Sequence, residues 1–215
     1  MATYLDQFID SCKFHKELRP DVEHQDFREM KRKILSYQAD DLAEIYKKLR
    51  QVLEALGKQY VDGGGGIEKA ALNAHAYSQG LMETWNHSDF GQRAPLCVTL
   101  GNVLFTGQSL FPLNRDGIRS MLQRGRELTA DIQGHAWLTL DDMTVVDLTV
   151  LSTLARWKKY PEPATKKSPV LIWREGQRSD FLYEPLLADN GFVPCIDISG
   201  KSYDFGGSQE STTLN

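Results

Sequence analysis

Along residues 134–150 the apolar and polar positions alternate on either side of a short polar stretch. Ala136, Leu138, Leu140, Val146 and Leu148 fall on one parity. His135, Trp137, Thr139, Val145, Asp147 and Thr149 fall on the other. A period of two with β-branched and aromatic residues predicts a β-hairpin whose even-numbered face is buried and whose odd face is mixed, with two ionisable groups on it. For the odd residues of both strands to share a face, opposed numbers must sum to an even value. A three-residue loop at 141–143 satisfies this and pairs Trp137 with Asp147. His135 then lies on the diagonal from Asp147, roughly 7–8 Å away backbone to backbone, a gap their side chains can close. A carboxylate that reaches an imidazole fixes its tautomer and stabilises the imidazolium, which is what a general base needs.

The rest of the chain supplies elements around that hairpin. Residues 2–59 read as helical. Tyr4, Phe8, Ile9 and Cys12 form a first stripe, and Pro20-Asp21 breaks the pattern. Phe27, Met30, Ile34 and Tyr37 form a second, and Leu42 through Leu56 a third. The basic residues around Arg28–Lys33 and Lys47–Arg50 are read as the solvated faces of these helices. Gly63–Gly66 reads as a flexible segment, and residues 67–85 as one alanine-rich helix with Glu68 in its first turn and His75 as a partly buried or surface histidine rather than a catalytic one. Residues 86–95 form a polar connection. Leu96–Gly107 has β-branched Val98, Thr99 and Val103 and is read as a strand. Asn114-Arg115-Asp116 can cap a short helix carrying Ile118, Met121 and Leu122, with Gly125 near its end. After the hairpin come a short helix or strand extension (Leu151–Trp157), a loop (160–167), a strand (Val170–Trp173) and a segment from Phe181 to Leu187 that packs beside it. The stretch around Phe192 and Ile196 closes the core, and a polar disordered tail begins at Gly206.

Composition narrows the classes. The chain has 215 residues, 41% hydrophobic and 25% charged, with a net charge of −4. That is enough chain for one sizeable core, or for one domain plus a helical annex, with no global reason to expect nucleic acid or a membrane surface. No apolar run nears ~18 residues, and the N-terminus lacks a basic segment followed by an apolar one. Cys12, Cys97 and Cys195 are few, odd in number and widely spaced. They suit a reducing compartment and exclude a disulfide scaffold or a cysteine-rich zinc site. The expectation is a cytoplasmic protein, export without an N-terminal signal aside, with neither a metal nor another cofactor.

His135-Ala136-Trp137 on one strand followed by Val145-Val146-Asp147-Leu148-Thr149 on the next resembles the His and Asp strands of the transglutaminase-like branch of papain-fold proteins. Those are cysteine-dependent hydrolases and acyltransferases with a Cys-His-Asp triad. The likeness spans roughly residues 64–150. It implies an α+β fold with a central helix on an antiparallel sheet and a nucleophilic cysteine at the start of that helix. There the helix terminus depresses the thiol pKa and backbone N–H groups form an oxyanion hole. Ala70-Ala71-Leu72-Asn73-Ala74 looks like a Cys-Tyr-x-Asn-Ala motif of such proteins with alanine in place of the cysteine. Two origins fit Ala70: a deliberate exchange of the nucleophile, or a natural pseudoenzyme. Cys97 is the alternative nucleophile, upstream of His135 and Asp147 as the triad order requires, with Gln92 as its oxyanion-hole amide. Its place in a strand argues for a small buried hydrophobe instead.

The expected organisation is a helical N-terminal region over 1–60, a catalytic core over 61–205 and a flexible tail over 206–215. The expected activity is that of a cysteine hydrolase or acyltransferase (protease, deamidase or transglutaminase type) on an amide or thioester carbonyl of a protein or peptide, with position 70 as nucleophile site, His135 as base and Asp147 as its orienter. The other class is a catalytically dead papain-like fold that binds a protein partner through its N-terminal helices.

Overall fold

The computed structural model describes residues 2–39, 42–124 and 134–191. Three helices open the chain. α1 (Tyr4–Leu18) is capped by Thr3, whose hydroxyl accepts from the Asp6 N–H. It buries Tyr4, Leu5, Phe8 and Ile9 on one side. α2 (Phe27–Tyr37) starts where Asp26 accepts from the N–H groups of Arg28 and Glu29. α3 (Ala43–Gly63) buries Tyr46, Leu53, Gly57 and Val61, one helical face. A Cβ on Gly57 would lie 2.7 Å from Leu148 Cδ2, so the missing side chain lets this helix close onto the hairpin.

The glycine run is a corner between helices rather than a flexible linker. α3 runs through Gly63, Gly64 caps it, and Gly65 turns the chain with φ +105° into α4 (Gly66–Ala70). The helix expected over 67–85 is interrupted. α4 stops at Ala70, and α5 (Ala74–Asn86) begins after three residues. Asn73 causes the break in part: its φ of −136° is non-helical, and its side-chain amide donates to the Lys69 carbonyl at 2.8 Å. α6 (Asp89–Arg93) occupies the polar connection, capped by Ser88.

The sheet is antiparallel and curled. β1 (Leu96–Phe105) is its spine. A short β2 (Gln108–Ser109) returns along one edge, and α7 (Arg115–Arg124) follows, with Asn114 accepting from the Gly117 N–H as its cap. β3 (His135–Leu140) and β4 (Val145–Asp147) form the hairpin. α8 (Val150–Arg156), α9 (Glu162–Lys167), β5 (Leu171–Trp173) and β6 (Phe181–Ala188) complete the described chain. The order is β2-β1-β3-β4-β5, with β6 on β1. Two expectations change here. Residues 162–167 are helix, not loop, because Pro161 and Pro163 sit at the helix start, where a missing N–H costs nothing. β6 pairs with β1, not with β5, although the curl brings Trp173 Nε1–H to the Phe181 carbonyl at 2.9 Å. Phe192, Cys195, Ile196, Gly125 and the tail fall outside the described residues.

α5 packs against β1 and β3 on the even face of the sheet. There Tyr77, Leu81 and Trp85 share a cluster with Leu138, Leu140, Val146 and Leu148. α1 covers the odd face through β6, and its Tyr4, Leu5, Phe8 and Ile9 share a cluster with Trp137, Val145 and Tyr183. The fold is mixed α+β with no described helix long and apolar enough to cross a membrane.

Candidate functional site

The hairpin sets the site. Leu138 opposes Val146 and Thr139 opposes Val145, the register anticipated from parity. The loop is residues 141–143. The Met143 N–H donates to the Leu140 carbonyl at 2.9 Å, and Met143 takes φ +68° to bring the chain back. A tight turn closed by a left-handed residue is a common way to close a three-residue hairpin. A methionine holds a position that favours glycine or asparagine, and its buried side chain joins the cluster under α1.

With this register fixed, His135 Nε2 lies 2.7 Å from Asp147 Oδ2, both side chains being essentially inaccessible to solvent. The carboxylate has other donors. The phenol of Tyr183 on β6 donates to the same Oδ2 at 2.8 Å, and the N–H groups of Thr149 and Val150 each donate to Oδ1 at 2.9 Å. Burial pushes the Asp147 carboxyl up, but the neighbouring imidazole and these hydrogen bonds outweigh it, so the group sits below the ordinary carboxylate value. Burial, with the adjacent carboxylate, drives the Tyr183 phenol far above its ordinary value. Asp147 is therefore the anion of the cluster, and Tyr183 keeps its proton.

Two aromatic residues wall the imidazole, Trp137 with its ring centre 6.3 Å away and Phe111 closer. Phe111, from the connection between β2 and α7, stacks on His135 with ring centres 4.5 Å apart and planes 14° from parallel, and it also touches the half-exposed Trp157. Gly101 is the β1 partner of His135, where β6 bulges. A Cβ there would meet the Glu184 carbonyl at 2.2 Å and Trp137 at 2.8 Å, so glycine allows both to close on the site. A second buried polar chain ties α1 to the same face: Trp137 Nε1–H donates to the Tyr4 hydroxyl at 2.9 Å, and that hydroxyl bonds Thr139, which bonds Thr99.

The remaining sequence candidates are distributed differently. Ala70 is fully buried at the C-terminal end of α4, in the even-face cluster with Tyr77, Leu148 and Val170. It precedes α5 by four residues, so it does not stand at the start of the long central helix as the motif suggested. Cys97 is a correction. It pairs with Thr139, whereas His135 pairs with Gly101, four residues along the strand. That is roughly 13 Å at ~3.3 Å per residue, beyond the reach of an imidazole. Burial pushes its thiol well above the ordinary range, the opposite of an activated nucleophile. Gln92 is exposed on α6, beside the end of α5 where Asn86 holds Leu96, whose partner is Leu140 at the far end of β3. His75 sits half-buried in the first turn of α5.

Sequence reasoning brought together His135 and Asp147 but missed Tyr183 and Phe111. Tyr183 carried a signal: it lies on the buried parity of the segment Phe181–Leu187. Phe111 carried none, being a lone aromatic in a connection. Compared with protein-family models, with curated proteins and with solved structures, the chain matches none.

Proposed function

We propose that this chain has the acid–base half of a papain-like, transglutaminase-like acyl-transfer site, its nucleophile position occupied by Ala70. The observation that carries the reading is the buried His135–Asp147 pair at 2.7 Å. It sits at the head of an antiparallel hairpin against a helix: the Ser78 hydroxyl of α5 donates to the carbonyl of Ala136, next to His135. With a thiol restored, its sulfur would bond to the carbonyl carbon of a protein or peptide amide, or of a thioester. His135 would take the thiol proton and return it to the leaving group as the C–N or C–S bond breaks. Water or an amine would then attack the acyl-enzyme, releasing the sulfur. Asp147 would hold His135 in register.

The test is thiol alkylation against pH, read peptide by peptide, on the unaltered chain, Ala70→Cys and Ala71→Cys, each with and without His135→Ala. Position 71 is included because it caps α4, is half-buried and lies beside α8. The expected result is a new thiol that reacts near pH 6 and slows about tenfold or more without His135, as a lost imidazolium partner would cause. A new thiol with no depressed pKa at either position would overturn the enzyme reading.

A second reading, a binding module on the same scaffold, is favoured by the closure of His135 under Phe111 and by the alanine at position 70. It predicts that His135→Ala leaves every thiol rate unchanged.

A further inference from the structure

We infer that Tyr183 is a positioning residue for His135. By sharing Asp147 Oδ2 with the imidazole, it holds the carboxylate in one orientation and keeps the ring as its Nε2–H tautomer with Nδ1 as the basic nitrogen. The inference rests on the reading of His135 as a general base and extends it to a residue on a different strand.

The geometry leaves little freedom. Oδ1 is held by two backbone N–H groups from the start of α8, so the carboxylate cannot rotate without losing both. Oδ2 then points at two side chains, the Tyr183 phenol at 2.8 Å and His135 Nε2 at 2.7 Å. An ionised carboxylate only accepts hydrogen bonds, so both neighbours must donate. The phenol can do nothing else, and the imidazole must therefore carry its proton on Nε2. Any nucleophile served by this histidine has to approach Nδ1.

Tyr183 is itself fixed. Its ring meets Trp137 edge-on at 5.0 Å and Trp173 at 5.5 Å, and its strand is registered on β1 opposite Val103. The described titratable groups around the imidazole are few. Asp147 comes from β4 and Tyr183 from β6, and Tyr4 of α1 stands one layer out, bonded to Trp137. Phe111, Trp137 and Thr139 bring no charge. The phenol takes part of the carboxylate's hydrogen-bonding capacity, so the imidazolium is stabilised less than by a carboxylate bonded to it alone.

The experiment is nitrogen NMR on the full chain with labelled histidine, which reports the His135 tautomer and titration midpoint without any substrate. The expected wild-type signal has a proton held on Nε2, the nitrogen that faces Asp147. Tyr183→Phe should raise the midpoint by about one pH unit, tenfold in proton affinity, or mix the two tautomers. A folded Tyr183→Phe protein with unchanged tautomer and midpoint overturns the inference. Should that variant fail to fold, 3-fluorotyrosine placed at position 183 alone strengthens the donor at nearly constant volume. The midpoint should then fall, and an unchanged midpoint again refutes the role. Failure of the enzyme reading looks different: the Ala70→Cys and Ala71→Cys thiols would stay inert while the His135 midpoint still follows Tyr183.

Discussion

The two faces of the β3–β4 hairpin are buried equally and built on different principles. The even face presents Leu138, Leu140, Val146 and Leu148 to α3 and α5, an apolar contact with no direction to its bonding. The odd face presents His135, Trp137, Thr139 and Asp147 to α1, β6 and Phe111, and each of these makes a directed polar or ring contact. Apolar packing tolerates adjustment, because its energy scales with area and volume. A buried polar network does not, because removing one member leaves its partners without hydrogen bonds in a dry space. The hairpin therefore has one face that confers stability and one that confers a fixed arrangement of groups.

The sharpest way to break this contrast is to damage each face once. Asp147→Ala strands the His135 ring, the Tyr183 phenol and two backbone N–H groups, and should cost about 3–5 kcal/mol. Leu138→Ala should cost about 2–5 kcal/mol, through lost transfer energy and a cavity. The two losses differ in their pH dependence. Asp147 has its folded pKa below the ordinary carboxylate value of 3.8, so its stabilisation is present above that pH and disappears as the pH falls through the depressed value. Denaturant titrations from pH 7 to pH 3 should show the Asp147→Ala deficit shrinking on the acid side and the Leu138→Ala deficit staying flat. Parallel curves would mean that the odd face is held by packing alone.

A smaller effect tests the link to α1. Tyr4→Phe removes the hydroxyl that accepts from Trp137 Nε1 and bonds Thr139. One buried indole N–H left unpaired costs about 1–3 kcal/mol. Amide exchange should speed up along α1 and β6 while α5 stays protected. A uniform change across the molecule would show that α1 is not a separately tethered layer.

Much of the even face and of the register was legible because it depends on spacing. Parity gave the three-residue loop and the His135–Asp147 diagonal, and both are present. Spacing is silent on what crosses the sheet from elsewhere. Tyr183 reaches Asp147 from β6, which joins β1 rather than β5, a pairing between segments about eighty residues apart that local spacing does not encode. The break at Ala71–Asn73 was hidden by the helix propensity of the surrounding alanines; a single Asn side chain bonding back to Lys69 marks it. The proline-containing 160–167 segment misled for a similar local reason, since proline breaks a helix inside it and starts one at its first turn. The odd face, mixed in composition, is nevertheless buried along β3 and β4. Covering it took α1, which is far away in sequence.

Phe111 offers a test of access rather than of stability. Its stacking on His135 is worth about 0.5–1.5 kcal/mol, so Phe111→Ala should raise the rate of acylation of His135 by diethyl pyrocarbonate by up to roughly tenfold. His87, exposed at the end of α5, is the internal control and should not change. An unchanged His135 rate would place the barrier to access in α1 instead.

The smallest effect lies at the hairpin tip, where both faces meet the N-terminal helices. Asp142 pairs with Arg50 at 2.9 Å and its carbonyl accepts from Gln38, while Asp141 accepts from the Tyr46 hydroxyl at 2.9 Å. Burial raises the Asp141 carboxyl to about 6, and among the described residues its second oxygen has no partner. Here the sign is opposite to that of Asp147. A carboxyl whose folded pKa lies above its unfolded value binds protons more tightly when folded, so stability is gained as the pH falls from about 6 towards 3.8. Asp141→Asn keeps an acceptor for Tyr46 and removes the charge. The variant should be more stable than the unaltered protein at pH 7.5, by a margin that closes near pH 4, and calorimetry across that range reads it directly. If the margin instead widens on acidification, the tip is held by the charge of Asp141, and its contact with Tyr46 belongs with the directed contacts of the odd face.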